Sequence, residues 1–125
     1  MEVDLKKENF HTKPSLEEIR KKHPLVEDWN GEIVEQKLIY ETIRPGDRIL
    51  EFGANIGRSS IVAAECTSPN GYVRSFESNE IDREKAKNNA KPLTNIEFMP
   101  AVSDVPLFQK NGILVLLNMI LRGRK

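Results

Sequence analysis

Residues 48–57 read Arg-Ile-Leu-Glu-Phe-Gly-Ala-Asn-Ile-Gly, and Glu77 follows 20 residues after Gly57. A short apolar run closes on an acid, passes into a Gly-x-x-x-Gly turn and opens a helical pattern. A second acid ends the next strand-like run, Tyr72–Phe76. Glycines let backbone come close to a ligand, and a carboxylate one strand over can accept two hydrogen bonds from ribose hydroxyls. The arrangement is that of a nucleoside site.

The pattern around it repeats. Arg48–Phe52 is expected as a strand and Gly57–Cys66 as a helix. Pro69-Asn70-Gly71 makes a turn before the strand Tyr72–Phe76. A helix over Ile81–Ala90 is only weakly amphipathic, with Ile81, Ala86 and Ala90 as its apolar positions, and Ile96–Met99 is a third strand. Strand–helix alternation of this kind builds a parallel sheet with right-handed crossovers, a Rossmann-like α/β fold. Upstream, Ser15-Leu16-Glu17-Glu18 fits a capping box for a helix that ends before Pro24. Glu32–Ile43 reads as an amphipathic helix with Ile33, Val34, Leu38, Ile39 and Ile43 mainly on one face, and Arg44-Pro45-Gly46-Asp47 is a turn. After Asp104 the pattern weakens. Val105–Gln109 fits a short strand, and Gly112–Leu121 is an apolar stretch that periodicity alone assigns to neither strand nor helix. Residues 1–31 are therefore an N-terminal arm and short helix, and 32–125 a partial ligand-binding domain.

With 19 basic and 19 acidic residues the chain has no net field to draw it to nucleic acid or an anionic membrane. One cysteine permits no internal disulfide and suits a reducing, cytoplasmic setting. Met1–Asn9 is charged and lacks the apolar stretch of a secretory signal, and the longest apolar run is too short for a membrane span. His11, His23 and Cys66 are scattered, which argues against a metal site. Cys66 reads as a small buried hydrophobe, the two histidines as surface residues, Trp29 as an anchor of the N-terminal helices to the sheet, and Arg122–Lys125 as a solvated tail.

The turn also discriminates between ligands. A dinucleotide fingerprint needs its middle glycine where this chain has Asn55, and Glu51 at the strand end would repel a pyrophosphate. An ammonium group would instead be attracted by Glu51, and Asn55 can hydrogen-bond an amino-acid head group. A ligand with a ribose and a cationic amino-acid end fits better than NAD, and S-adenosylmethionine is one. Glu77 would take the ribose diol. Asp104, after Ala101-Val102-Ser103, could accept from an adenine amino group or serve only as a turn residue. Either glycine could equally make a tight turn and nothing more. No convincing catalytic base stands out.

Residues 45–57 together resemble the first motif of class I S-adenosylmethionine-dependent methyltransferases, and Gly-Ala-Asn-Ile-Gly is especially similar to the FkbM-type family. So are Phe76-Glu77-Ser78-Asn79, Asn88-Asn89, and Asn95-Ile96 leading to Ala101–Asp104. The resemblance covers residues 32–104. It implies that Glu51, Gly53, Ala54, Asn55 and Gly57 surround the methionine part of S-adenosylmethionine, that Glu77 holds the ribose, and that Asp104 lies near the adenine. It implies O-methyl transfer to a small-molecule or sugar hydroxyl. Ser78 stands where the family usually has Pro, and nothing after Asp104 matches the family's acidic fourth-strand motif. The expectation is a truncated domain with an open sheet edge available for self-association, or a non-catalytic cofactor- or partner-binding remnant.

Overall fold

The computed structural model describes residues 13–100 and the backbone of 113–117. Helices α1 (Leu16–Lys22) and α2 (Ile33–Thr42) precede β1 (Arg48–Phe52), α3 (Arg58–Thr67), β2 (Tyr72–Phe76), α4 (Glu80–Asn89), β3 (Ile96–Met99) and β4 (Ile113–Leu117). The four strands are parallel, in the order β3-β2-β1-β4. Gly112–Leu121, open between strand and helix in sequence, thus contains a strand, and it lies on the far side of β1. Asp104, the strand expected at Val105–Gln109, His11 and the basic C-terminal residues lie outside the described residues.

β1 is central and buried. Ile49 and Leu50 are each 3% exposed and Glu51 is fully enclosed. β2 shows the alternation of a strand with one face in the core, burying Val73 and Ser75. Helix α3 is buried from Ser59 through Thr67 because it packs against β1 and β2 on one side and α1 and α2 on the other. Its Ser, Ala and Cys side chains are small enough for elements to close on both faces. At the turn into β2, a Cβ on Gly71 would fall on Thr67 and on the Asp47 carbonyl, so only glycine fits.

The capping box forms as expected. The Glu18 N–H donates to Ser15 Oγ (3.1 Å) and the Ser15 N–H to Glu18 Oε1 (2.8 Å). Helix α2 departs from expectation. Val34 and Leu38 are 66% and 44% exposed, whereas Glu35 and Gln36 are buried with Ile39. The Gln36 carboxamide explains the rotation. Its Nε2 donates to the carbonyls of Trp29 and Gly31 (both 2.7 Å), and its Oε1 accepts from Arg20 (3.3 Å). The chain between α1 and α2 carries carbonyls that need donors, and Gln36 supplies them.

His23 is a second correction, being 3% exposed rather than at the surface. Its Nε2 lies 2.7 Å from Glu65 on α3, and Lys22 donates to the other Glu65 oxygen (3.0 Å). Trp29 Nε1 donates to the His23 carbonyl (3.0 Å), and the ring packs against the core. Burial alone would raise the Glu65 pKa, but the hydrogen bonds from His23 and Lys22 outweigh it and hold the carboxyl below its ordinary 4.5. A carboxyl depressed in the folded state adds stability above its unfolded pKa and loses it as pH falls through the folded value. The melting temperature of the native chain is therefore expected to fall more steeply below pH 4.5 than that of Glu65→Gln. Parallel melting curves across that range would refute the role.

Cys66 is wholly buried, and desolvation pushes its thiol up to about 12. Burial keeps the thiol protonated at pH 8, so a chromogenic thiol reagent should label the folded protein only at its rate of opening. Rapid native labelling, matching that in denaturant, would contradict this burial.

Candidate functional site

In chain order the strands step outward from β1 to β2 to β3, and β4 then falls on the opposite flank of β1. The direction reverses between β1 and β4. In open parallel sheets, ligands bind at the carboxyl ends of the strands flanking such a reversal. The Gly53–Gly57 turn leaves the carboxyl end of β1 at this place.

The turn takes an unusual backbone path. Gly53 (φ 91°), Asn55 (φ 57°) and Gly57 (φ 98°) all occupy the left-handed region. Glycine adopts it without cost, and asparagine tolerates it better than most residues. The N–H groups of Gly53 and Ala54 both donate to the Phe76 carbonyl (2.8 and 3.1 Å) at the end of β2. Gly57 caps α3 with no side chain, and a Cβ there would lie 3.3 Å from Ala86 Cα on α4. The missing side chain at 57 thus serves helix packing as well as the turn. Ala54 is fully buried.

Glu77 meets this turn. Its Oε1 accepts the Asn55 N–H (2.6 Å) and its Oε2 accepts the Asn79 N–H (3.0 Å), while its own N–H donates to the Met99 carbonyl (2.9 Å). One carboxylate thereby ties the β1–α3 turn to the β2–α4 turn at the ends of three adjacent strands. It remains half-buried, and each oxygen keeps a second acceptor position. Arg83 Nη1 donates to the Glu77 carbonyl (2.8 Å) and holds the second turn from the α4 side.

Glu51 does something different from what its strand-end position suggests. Its carboxylate is enclosed, accepting from Ser59 (2.5 Å), Ser60 and Ser75 (2.7 Å). Two of those serines stand in the first turn of α3, where the helix's positive end favours an anion. Enclosure by hydroxyls replaces the open, ammonium-facing carboxylate of the sequence reading. Glu51 holds the strand β1, the strand β2 and the start of α3 in register beneath the turn.

Several contributors had no role assigned to them from sequence, although Phe52, Phe76 and Asn89 stand in the quoted motifs. Phe52 and Phe76, paired in register, stack with ring centroids 5.3 Å apart at the strand ends. Their matching places before Gly53 and Glu77 were a readable signal. Asn89 donates from Nδ2 to the Ile56 carbonyl (2.9 Å) and is 8% exposed. Ser59, Ser60 and Ser75 carried no signal, since the hydroxyls of buried serines look like any others in sequence. Among the described residues no group of three or more His, Cys, Asp or Glu could hold a metal ion, and no helix is long and apolar enough to cross a membrane.

No protein-family profile matches the sequence, and no curated protein matches it. Solved structures do. A protein-L-isoaspartate O-methyltransferase superposes with a TM-score of 0.54 and 24% identity, over 66% of this chain and 27% of that one. TYW2 of M. jannaschii, in complex with AdoMet, gives 0.51 and 25% over 57% of this chain and 33% of its own. Fibrillarin of Aeropyrum pernix, with natively bound S-adenosyl-L-methionine, gives 0.51 and 19% over 64% and 37%. The chain spans about a quarter to two-fifths of the length of these proteins. What it shares with them is the Rossmann-like parallel sheet of the class I methyltransferases.

Proposed function

We propose that this chain binds S-adenosylmethionine at the Gly53–Gly57 turn and Glu77, as part of a methyltransferase domain. The observation that carries the reading is the Glu77 carboxylate, seated against a turn of three left-handed residues at the reversal point of the sheet. Its open acceptor positions suit a ribose diol. The turn backbone, from Gly53 to Asn55, suits the methionine part, and the nearby negative charge suits a sulfonium. Asp104 near the adenine completes the proposed set. The bound AdoMet and S-adenosyl-L-methionine of two similar structures support the cofactor.

Within that reading the FkbM-like motif favours O-methyl transfer to a small-molecule or sugar hydroxyl. The similar structures include proteins named for protein substrates, so the acceptor class rests on the motif alone. Aligning an acceptor oxygen with the methyl carbon would supply much of the rate. A second reading is a cofactor- or partner-binding module without turnover. Calorimetric titration of S-adenosylmethionine into the wild type and Glu77→Ala tests the site, with circular dichroism to verify folding. Saturable heat in the wild type that vanishes in the variant supports it. A folded wild type without binding refutes it and turns attention to partner capture.

A further inference from the structure

Helix α4 is poor in apolar residues, yet three of its positions on one stripe reach the two turns of the site. Arg83 grips the Glu77 carbonyl, Ala86 lies against Gly57, and Asn89 donates to the Ile56 carbonyl. The spacing of three places them on neighbouring turns of one helix face. Ala90, next in sequence, enters the core, while Ile81, an apolar residue outside the stripe, is 69% exposed. The buried side of α4 is thus chosen for contacts to the turns and not for apolar area.

We infer that Asn89 is a positioning residue for the 53–57 turn. Ile56 immediately precedes the cap of α3, and its carbonyl sits where three left-handed residues leave few intrahelical bonds. A buried carboxamide fixes that carbonyl, and Ala86 against Gly57 blocks the neighbouring peptide from moving toward α4. The turn is held from its α4 side, so the Asn55 N–H stays aimed at Glu77. Alanine at 89 leaves the Ile56 carbonyl buried without this donor and frees the turn to take other paths.

This rests on the reading of the turn as the holder of the methionine part, and the test separates the two. Asn89→Ala and Asn89→Ser are compared with the wild type by amide hydrogen exchange without ligand, and by titration with S-adenosylmethionine and with 5′-methylthioadenosine, which lacks the amino-acid end. Exchange at Gly53, Asn55 and Gly57 is expected to quicken about tenfold in the variants, with the β2–β3 amides unchanged. Affinity for S-adenosylmethionine is expected to fall about tenfold and that for 5′-methylthioadenosine less than about twofold. Unchanged exchange in the turn overturns the inference, as does quickening spread evenly over the sheet, which marks a purely structural residue. Equal loss of both ligands overturns it as well. A wild type that binds neither ligand, with turn exchange still quickened in the variants, refutes the cofactor reading and leaves Asn89 as the residue that orders the turn.

Discussion

Replacing Glu77 by alanine is expected to weaken S-adenosylmethionine binding by at least about a hundredfold while the far-ultraviolet circular dichroism stays native. Two losses combine. The ribose diol loses a charged acceptor, and hydrogen bonds to charged groups contribute roughly 1.5–3 kcal/mol each. The Asn55 and Asn79 amides lose the carboxylate that joins them, at 2.6 and 3.0 Å, so the two turns no longer share a fixed distance. Conservative replacements separate the effects. Glu77→Gln keeps one acceptor oxygen but turns an amide N–H₂ toward one of the two backbone donors, so it should bind nearly as poorly as alanine. Glu77→Asp keeps the charge on a shorter arm that cannot meet both turns at once, and should fall between. Calorimetry of the three variants decides this. Affinity within about twofold of wild type in Glu77→Ala would end the proposed site.

Glu51→Ala is expected to destabilise the fold by about 2–4 kcal/mol, which for a domain of this size lowers the melting temperature by roughly 10 °C or more. The carboxylate is wholly enclosed and accepts from three serine hydroxyls on two elements. Each buried hydroxyl left without an acceptor costs about 1–3 kcal/mol. Two effects reduce the total. Ser59 and Ser60 can turn to carbonyls of the preceding turn, and removing a buried charge recovers part of its desolvation cost. Glu51→Gln should cost less than half as much. Its oxygen still accepts from Ser60 and Ser75, and the Ser59 hydroxyl can rotate to accept from its amide. Thermal denaturation of the three proteins measures the difference. A Glu51→Ala protein melting within about 2 °C of wild type would show that the enclosure contributes little.

These residues show why the site was half legible. The turn and Glu77 were readable because each depends on local chemistry. Left-handed backbone calls for glycine or asparagine, and an acid directly after a strand lands at the sheet's carboxyl edge. Glu51 was readable as an acid at a strand end, but its direction was not. Which face of β1 it takes, and that Ser59, Ser60 and Ser75 wait there, depends on the packing of α3 and β2. Asn89 stood in a recognisable Asn-Asn pair, while its partner, the Ile56 carbonyl, lies 33 residues away in sequence.

By itself the sequence determined the strand–helix alternation, the bounds of β1, β2 and β3, the α1 capping box, and the turn with its acid. Hydrophobic period, glycine and proline conformations and cap side chains act within a few residues, so they can be read along the chain. Tertiary structure alone decided that β4 pairs with β1 and not with β3, which creates the reversal at which the candidate site lies. It also decided that α2 turns Glu35 and Gln36 inward and leaves Val34 and Leu38 outside, and that His23 is buried on Glu65. In each case a distant group set the outcome. Buried polar atoms must find partners wherever the fold brings them, and that demand outweighed the local apolar pattern.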